Sequence, residues 1–211
     1  AVAFVTWVIS LVFVSGCSSQ PTAVEQINSV DAISISTTQS PQYSRVVALA
    51  NGSAEIIASL GHLDILVGRD VASDVVSLES VEVVTSGHQI VAEKILSLKP
   101  DLVLIDASSG PSSALLAIES AGIRIAKISE AWTLNDIDRK VSEIAQAIGT
   151  VDEGKNLIAA LQISTSSVKQ IPAGTRIAFL YLRGGSAIYL IGGKGSGTDS
   201  LISAIGGVDA G

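Results

Sequence analysis

The sequence predicts an α/β fold with a mainly parallel sheet, and three observations carry that prediction. Short continuous apolar runs, of which DLVLID (101–106) is typical, lack the alternation of a half-solvated strand and suit strands covered on both faces. Segments of helical length separate these runs, and Gly, Pro and Asn punctuate the junctions. After a polar stretch that ends near residue 44, about 165 residues remain, enough for one full domain and part of another.

From the start of the chain, residues 1–14 (AVAFVTWVISLVFV) are apolar apart from Thr6 and Ser10. Such a run is short for a bilayer-spanning helix and has the character of a signal-peptide core without its charged leader, so residues 1–16 are assigned to an incomplete signal peptide. The single cysteine, Cys17, follows VSG. One cysteine offers no internal disulfide. Residues 17–44, rich in Ser, Thr and Gln, read as a flexible tether.

RVVALA (45–50) then reads as a buried strand, and Ser53 is placed to cap a short helix that Gly61 ends. ILVGRD (65–70) and VEVVT (81–85) are further strands, and the helix AEKILSLK is stopped by Pro100. DLVLID is followed by a helix with Pro111 near its first turn and Gly122 after its last. IRIAKI (123–128) returns as a strand, and TLNDIDRKVSEIAQAIG carries apolar residues at helical spacing to Gly149. Residues 45–149 therefore form an N-terminal α/β lobe. TVDE (150–153) has the form of a capping box and opens a connecting helix within 150–174. RIAFLYLRG (176–184), SAIYLIGG and a glycine-rich loop leading to a helix begin a second α/β lobe over 175–211. Two strands and a helix bury no core of their own, so this lobe is expected to be incomplete.

The formal charge of −7 and an aromatic content of 4% argue against nucleic-acid binding, which needs a basic face. GGKGSG (192–197) fails the P-loop pattern because Gly195 follows Lys194, and fails G-x-G-x-x-G because residue 198 is Thr. Its backbone amides are suited to cradle an anion such as a carboxylate, although a tight turn is the simpler account. No Ser–His or carboxylate–His arrangement for catalysis is found, so a nucleotide-using α/β enzyme is the weaker alternative and the chain is read as a non-enzyme.

VSGC resembles a bacterial lipobox, which implies lipidation of Cys17 and an anchor in the cell membrane at its extracytoplasmic face. With the polar tether, RVVALANGSAEIIASLG and ILSLKPDLVLID, the chain resembles the substrate-binding lipoproteins of bacterial ABC importers. The likeness is to the helical-backbone class that carries haem, ferric siderophores and cobalamin. It covers residues 45–211 and implies two Rossmann-like lobes joined by a long helix. GHQIVAEKILSLKPDLVLID with FLYLRG and YLIGGKGSG is most similar to haem-binding members of Gram-positive bacteria. In those proteins a His on a first-lobe loop and a Tyr on a second-lobe strand ligate the haem iron.

That resemblance makes His88 and Tyr181 the expected iron ligands and Arg183 their support. On position alone His88 is a solvent-facing loop residue. Tyr181 and Arg183 share one strand face with Ile177 and Phe179 through period-two alternation. A guanidinium beside a phenol favours the phenolate, and it equally suits a haem propionate. Without the resemblance, the pair reads just as well as an interior aromatic and a charged strand end. Glu93 matches the family's permease-docking glutamate, with a solvated helix glutamate as the alternative. The second docking position falls near Ser203, with Asp199 one turn earlier. His62 reads as a surface residue, while Trp132 and Arg69 lie just past strand ends near the same cleft. The resemblance thus implies capture of haem between the lobes and delivery to a membrane permease and its ATPase, with a ferric siderophore or cobalamin as the alternative cargo.

Overall fold

The structure, a computed structural model, describes residues 40–87, 89–183 and 187–211, with the backbone alone at residues 183 and 187–189. Cys17, the apolar segment before it and most of the tether lie outside those residues. Among the described residues no helix is long and apolar enough to cross a membrane.

The chain alternates β1 (Val46–Ala48), α1 (Ser53–Ser59), β2 (Leu66–Arg69) and β3 (Glu82–Val83). A two-strand ladder, β4 (Thr85–Ser86) with β5 (Gln89–Ile90), leads to α2 (Ala92–Ser97), β6 (Leu102–Ile105), α3 (Ser112–Ser120) and β7 (Arg124–Lys127). The antiparallel β4–β5 ladder pairs Ser86 with Gln89. Strands β3, β2, β1, β6 and β7 lie side by side in that order, every pair parallel. In the centre, Val46 sits opposite Leu66 on one side and Leu102 on the other.

Alternation along the strands divides the core into two layers. Val46, Ala48, Leu102 and Leu104 pack with Ile57 of α1 and with Val141, Ile144 and Ile148 of α4 (Ile137–Ile148), and Leu157 of α5 (Val151–Ser166) joins them. Val47 and Val103 face the opposite way, against Ile95 of α2 and Ile118 of α3. Each fully buried Ile, Leu or Val contributes about 1.5–3 kcal/mol of apolar burial. Every residue of β1 is 0% exposed, as its unbroken VVA run requires.

Four expectations about local structure are corrected. Ser53 is the first residue of α1 and not its cap; Gly52 precedes it at φ +74°, and the Ser53 hydroxyl donates to the Ala50 carbonyl. The Thr150–Glu153 box does not form, although α5 begins beside it, at Val151. Thr150 is drawn into the turn between α4 and α5, where its N–H donates to the Ala145 carbonyl at 2.8 Å and its hydroxyl is buried without a partner. VEVVT is not one strand: Glu82–Val83 pairs with β2, and Thr85–Ser86 pairs with β5. His62 is 4% exposed, its Nε2 buried and without a hydrogen bond, because its N–H closes onto the Ile57 carbonyl at the end of α1 and folds the residue inward.

The carboxyl ends of β1 and β6 are held by one acid. The N–H groups of Leu49 and Ala50 both donate to the Leu104 carbonyl, at 2.9 and 3.0 Å. Asp106, just past β6, accepts from the Asn51 N–H at 2.9 Å, the Ser108 N–H at 3.0 Å and the hydroxyls of Ser108 and Ser109 at 2.7 and 3.1 Å. Burial is the largest single influence on this carboxyl and raises its pKa, yet the Asn51, Ser108 and Ser109 donors together hold it below the usual carboxylate range. Lys140 of α4 is buried nearby, and burial lowers its pKa against the opposing charges of Asp106, Glu130, Glu143 and Glu55.

Because the folded Asp106 carboxyl titrates below its unfolded value, its contribution is present at neutral pH and is lost as pH falls through the folded pKa. Asp106→Ala is expected to lower stability by about 2–3 kcal/mol at neutral pH, since it removes a charged acceptor shared by the Asn51 and Ser108 N–H groups and two hydroxyls. Urea unfolding of both proteins should show that gap narrowing below about pH 4.

Candidate functional site

The remaining elements are β8 (Arg176–Ile177), β9 (Leu180–Arg183), β10 (Ala187–Ile191), α6 (Gly197–Ala204) and β11 (Val208–Asp209). The expected strand RIAFLYLR is interrupted at residues 178–179, because its two halves have different partners. β8 pairs parallel with β11, and β9 pairs antiparallel with β10. Phe179, at the break, uses its carbonyl to accept the Gly192 N–H at 2.9 Å. A register shift between Ile188 and Leu190 marks an extra residue in β10, the geometry of a bulge.

Between these elements and residues 131–137 lies a cavity of about 630 Å³. Trp132, Leu134 and Ile137 line one side; Phe179, Tyr181, Leu190, Ile191 and Leu201 line the other, with Gly192, Gly193, Ser196, Gly197 and Thr198 at the glycine-rich loop. Its size and apolar walls with a few polar groups are those of a small-molecule site. Tyr181 is 52% exposed, and Trp132 is 67% exposed.

The Trp132 side is held by local capping. Thr133 and Asp136 form a capping box around the 3₁₀ turn Leu134–Asp136, and the Asp136 carboxylate accepts the N–H groups of Thr133 at 2.9 Å and Trp132 at 3.2 Å. The Thr133 hydroxyl, its N–H, the Trp132 N–H and the Arg139 guanidinium hold the Asp136 carboxyl below its ordinary range. The two walls are joined by one long-range hydrogen bond, from the Leu134 N–H to Ser200 Oγ at 3.0 Å. They also meet at Gly197, where a Cβ would lie 2.8 Å from the Trp132 carbonyl oxygen.

The glycine-rich run forms a turn, and three of its amides are engaged within the protein. The N–H of Gly192 goes to Phe179, that of Ser196 to the Gly193 carbonyl, and that of Gly195 to the Asp199 carboxylate at 2.8 Å. These amides are already satisfied, and a carboxylate in the loop repels a second anion. Asp199 is therefore engaged at the start of α6, where Ser196 caps the helix. Ser203 is exposed on that helix, as is Glu93 on the first turn of α2.

Of the residues expected to bind the iron, Tyr181 lines the cavity, while His88 and the Arg183 side chain lie outside the described residues. Trp132 lines the cavity too. Arg69 does not: it is buried, and its Nε donates to the Leu78 carbonyl at 3.0 Å. Among the described residues no cluster of three or more His, Cys, Asp or Glu side chains could hold a metal ion directly. The residues that sequence reading passed over are Leu134, Ile137, Leu190, Ile191 and Leu201. Phe179 was legible as the period-two neighbour of Tyr181, whereas the others are ordinary apolar residues until the chain is folded.

A model of the periplasmic binding protein family matches residues 46–210. The haem-binding protein HmuT, of known structure, is 31% identical with a TM-score of 0.69, covering 84% of this chain and 64% of its own. The periplasmic haem-binding protein HutB of Vibrio cholerae is 27% identical with a TM-score of 0.70, covering 78% of this chain and 65% of its own. Among curated relatives, the ABC transporter substrate-binding lipoprotein YvrC of Bacillus subtilis is 27% identical over 156 residues, 72% of this chain and 49% of its own length. The vitamin B12-binding protein of Vibrio campbellii is 26% identical over 152 residues, 71% of this chain and 55% of its own. The chain thus spans about half the length of the curated relatives it matches.

Gly197→Ala should force residues 131–137 and α6 apart, because the new methyl meets a backbone oxygen that has no rotamer to escape into. The expected loss is about 1–3 kcal/mol, read as a lowered midpoint in thermal unfolding; an unchanged midpoint would show that the two walls part freely.

Proposed function

The chain belongs to the periplasmic binding protein family, and from that premise we propose that it captures haem and passes it to an ATP-driven importer. The observation that carries this reading is the Tyr181-x-Arg183 pair on β9, with Tyr181 opening onto an apolar cavity of about 630 Å³. Apolar walls remove the porphyrin faces from water, and ferric iron takes a phenolate or imidazole as axial donor. Tyr181 is the ligand from this side and His88 the ligand from the other face, with Arg183 paired to a propionate or to the phenolate. Structures of HmuT variants in which a histidine, an arginine or a tyrosine is changed to alanine also match this chain, and the altered tyrosine and arginine are two positions apart, as here. That spacing supports the assignment.

Anchoring through a lipidated Cys17 would keep the carrier at the extracytoplasmic face of the cell membrane, and Glu93 would engage the permease. A second reading has its own support: the Vibrio relatives are vitamin B12-binding proteins. In that case Tyr181 and His88 line the cleft without ligating iron.

Titration with ferric haem should give a shifted Soret band that Tyr181→Ala and His88→Ala each change. Spectra identical in both variants would sink the ligand assignment, and displacement of haem by sub-stoichiometric cyanocobalamin would favour the second reading. Glu93→Ala should leave haem affinity within about twofold while lowering uptake in cells, since a rim charge acts on docking and not on the cavity.

A further inference from the structure

Trp132 is the largest apolar side chain at the cavity and is 67% exposed. Its polar handle is already satisfied: Nε1 donates to the Glu130 carboxylate at 3.2 Å. Its main chain is held on both sides, by Asp136 through the N–H at 3.2 Å and by the close packing of Gly197 against the carbonyl. The next turn is tied to α6 by the Leu134–Ser200 bond. An indole so constrained loses little freedom when a ligand covers it, and exposed aromatic area is the main thing it has to offer.

Resting on the haem reading, we propose that Trp132 is the stacking residue of this site, selecting a flat conjugated macrocycle over a globular chelate, and that Gly197 and Ser200 of α6 act as positioning residues that hold it over the cavity. Stacking needs an extended π-face and no metal. A porphyrin without iron therefore keeps this contact while losing both axial bonds. A ferric siderophore presents an octahedral centre wrapped in flexible arms and offers the indole no such face.

The test uses metal-free protoporphyrin IX and the full chain carrying Trp7→Phe, which leaves Trp132 as the one tryptophan in the sequence. Binding should quench Trp132 emission. Trp132→Ala should weaken protoporphyrin binding roughly tenfold and Trp132→Phe by about threefold or less, as loss and partial retention of an aromatic pair imply. Gly197→Ala and Ser200→Ala should shift the unliganded Trp132 emission and weaken protoporphyrin binding in parallel, a response that a purely structural role for α6 would not produce. Unquenched emission, or equal affinity in Trp132→Ala, overturns the stacking role. If haem still shifts its Soret band in that case, the haem reading stands alone; if the wild-type chain binds neither porphyrin, both fall.

Discussion

The central strand β1 cannot meet water on either face, and most of the fold follows from that constraint. A parallel strand with all three residues buried must find protein partners for every backbone N–H and C=O, and β2 and β6 supply them. Its side chains must then be covered twice. The helices α1, α4 and α5 close one face, and α2 and α3 close the other. Where the strands end, the same demand continues into the loops. Leu104 accepts two N–H groups, and Asp106 takes up the next one, from Asn51.

The C-terminal elements obey a different rule. β8 to β11 form two separate two-stranded pairings, and many of their apolar residues are exposed, Leu182, Leu190 and Val208 among them. The site grows from this segment because the partner switch at residues 178–179 brings Phe179 and Tyr181 against the glycine-rich loop. It is completed from far away in sequence: Trp132 and Leu134 belong to the stretch that leaves β7, and one backbone-to-hydroxyl bond with one glycine contact ties them to α6.

Seen chemically, the cavity is an apolar slot with a phenol on one side and an indole on the other. In the glycine-rich loop the N–H groups of Gly192, Gly195 and Ser196 are bonded within the protein, in keeping with the tight turn that was the simpler reading of the sequence. Family membership and this apolar slot agree on a binding protein.

How much of this was legible in the sequence depends on how local the cause is. The buried strands β1 and β6 were readable from continuous apolar runs, and α4 from helical spacing, because burial on both faces or on one stripe writes itself into composition; the edge strands β3 and β7 are partly exposed and carry Glu82, Arg124 and Lys127. That Tyr181 and Arg183 stand two residues apart on one strand was readable too, as strand periodicity is local. Cap details were not: Thr150 matched a capping pattern, yet the turn between α4 and α5 drew its N–H to Ala145 and its hydroxyl into the interior. His62, just after the glycine that follows α1, looked solvated and is buried, since the return of the chain onto α1 decides its surroundings. The break in RIAFLYLR and the meeting of Trp132 with Gly197 were likewise decided only in three dimensions. Hydrogen-bond partners and close packing across dozens of residues have no period along the chain, so only the folded protein could select them.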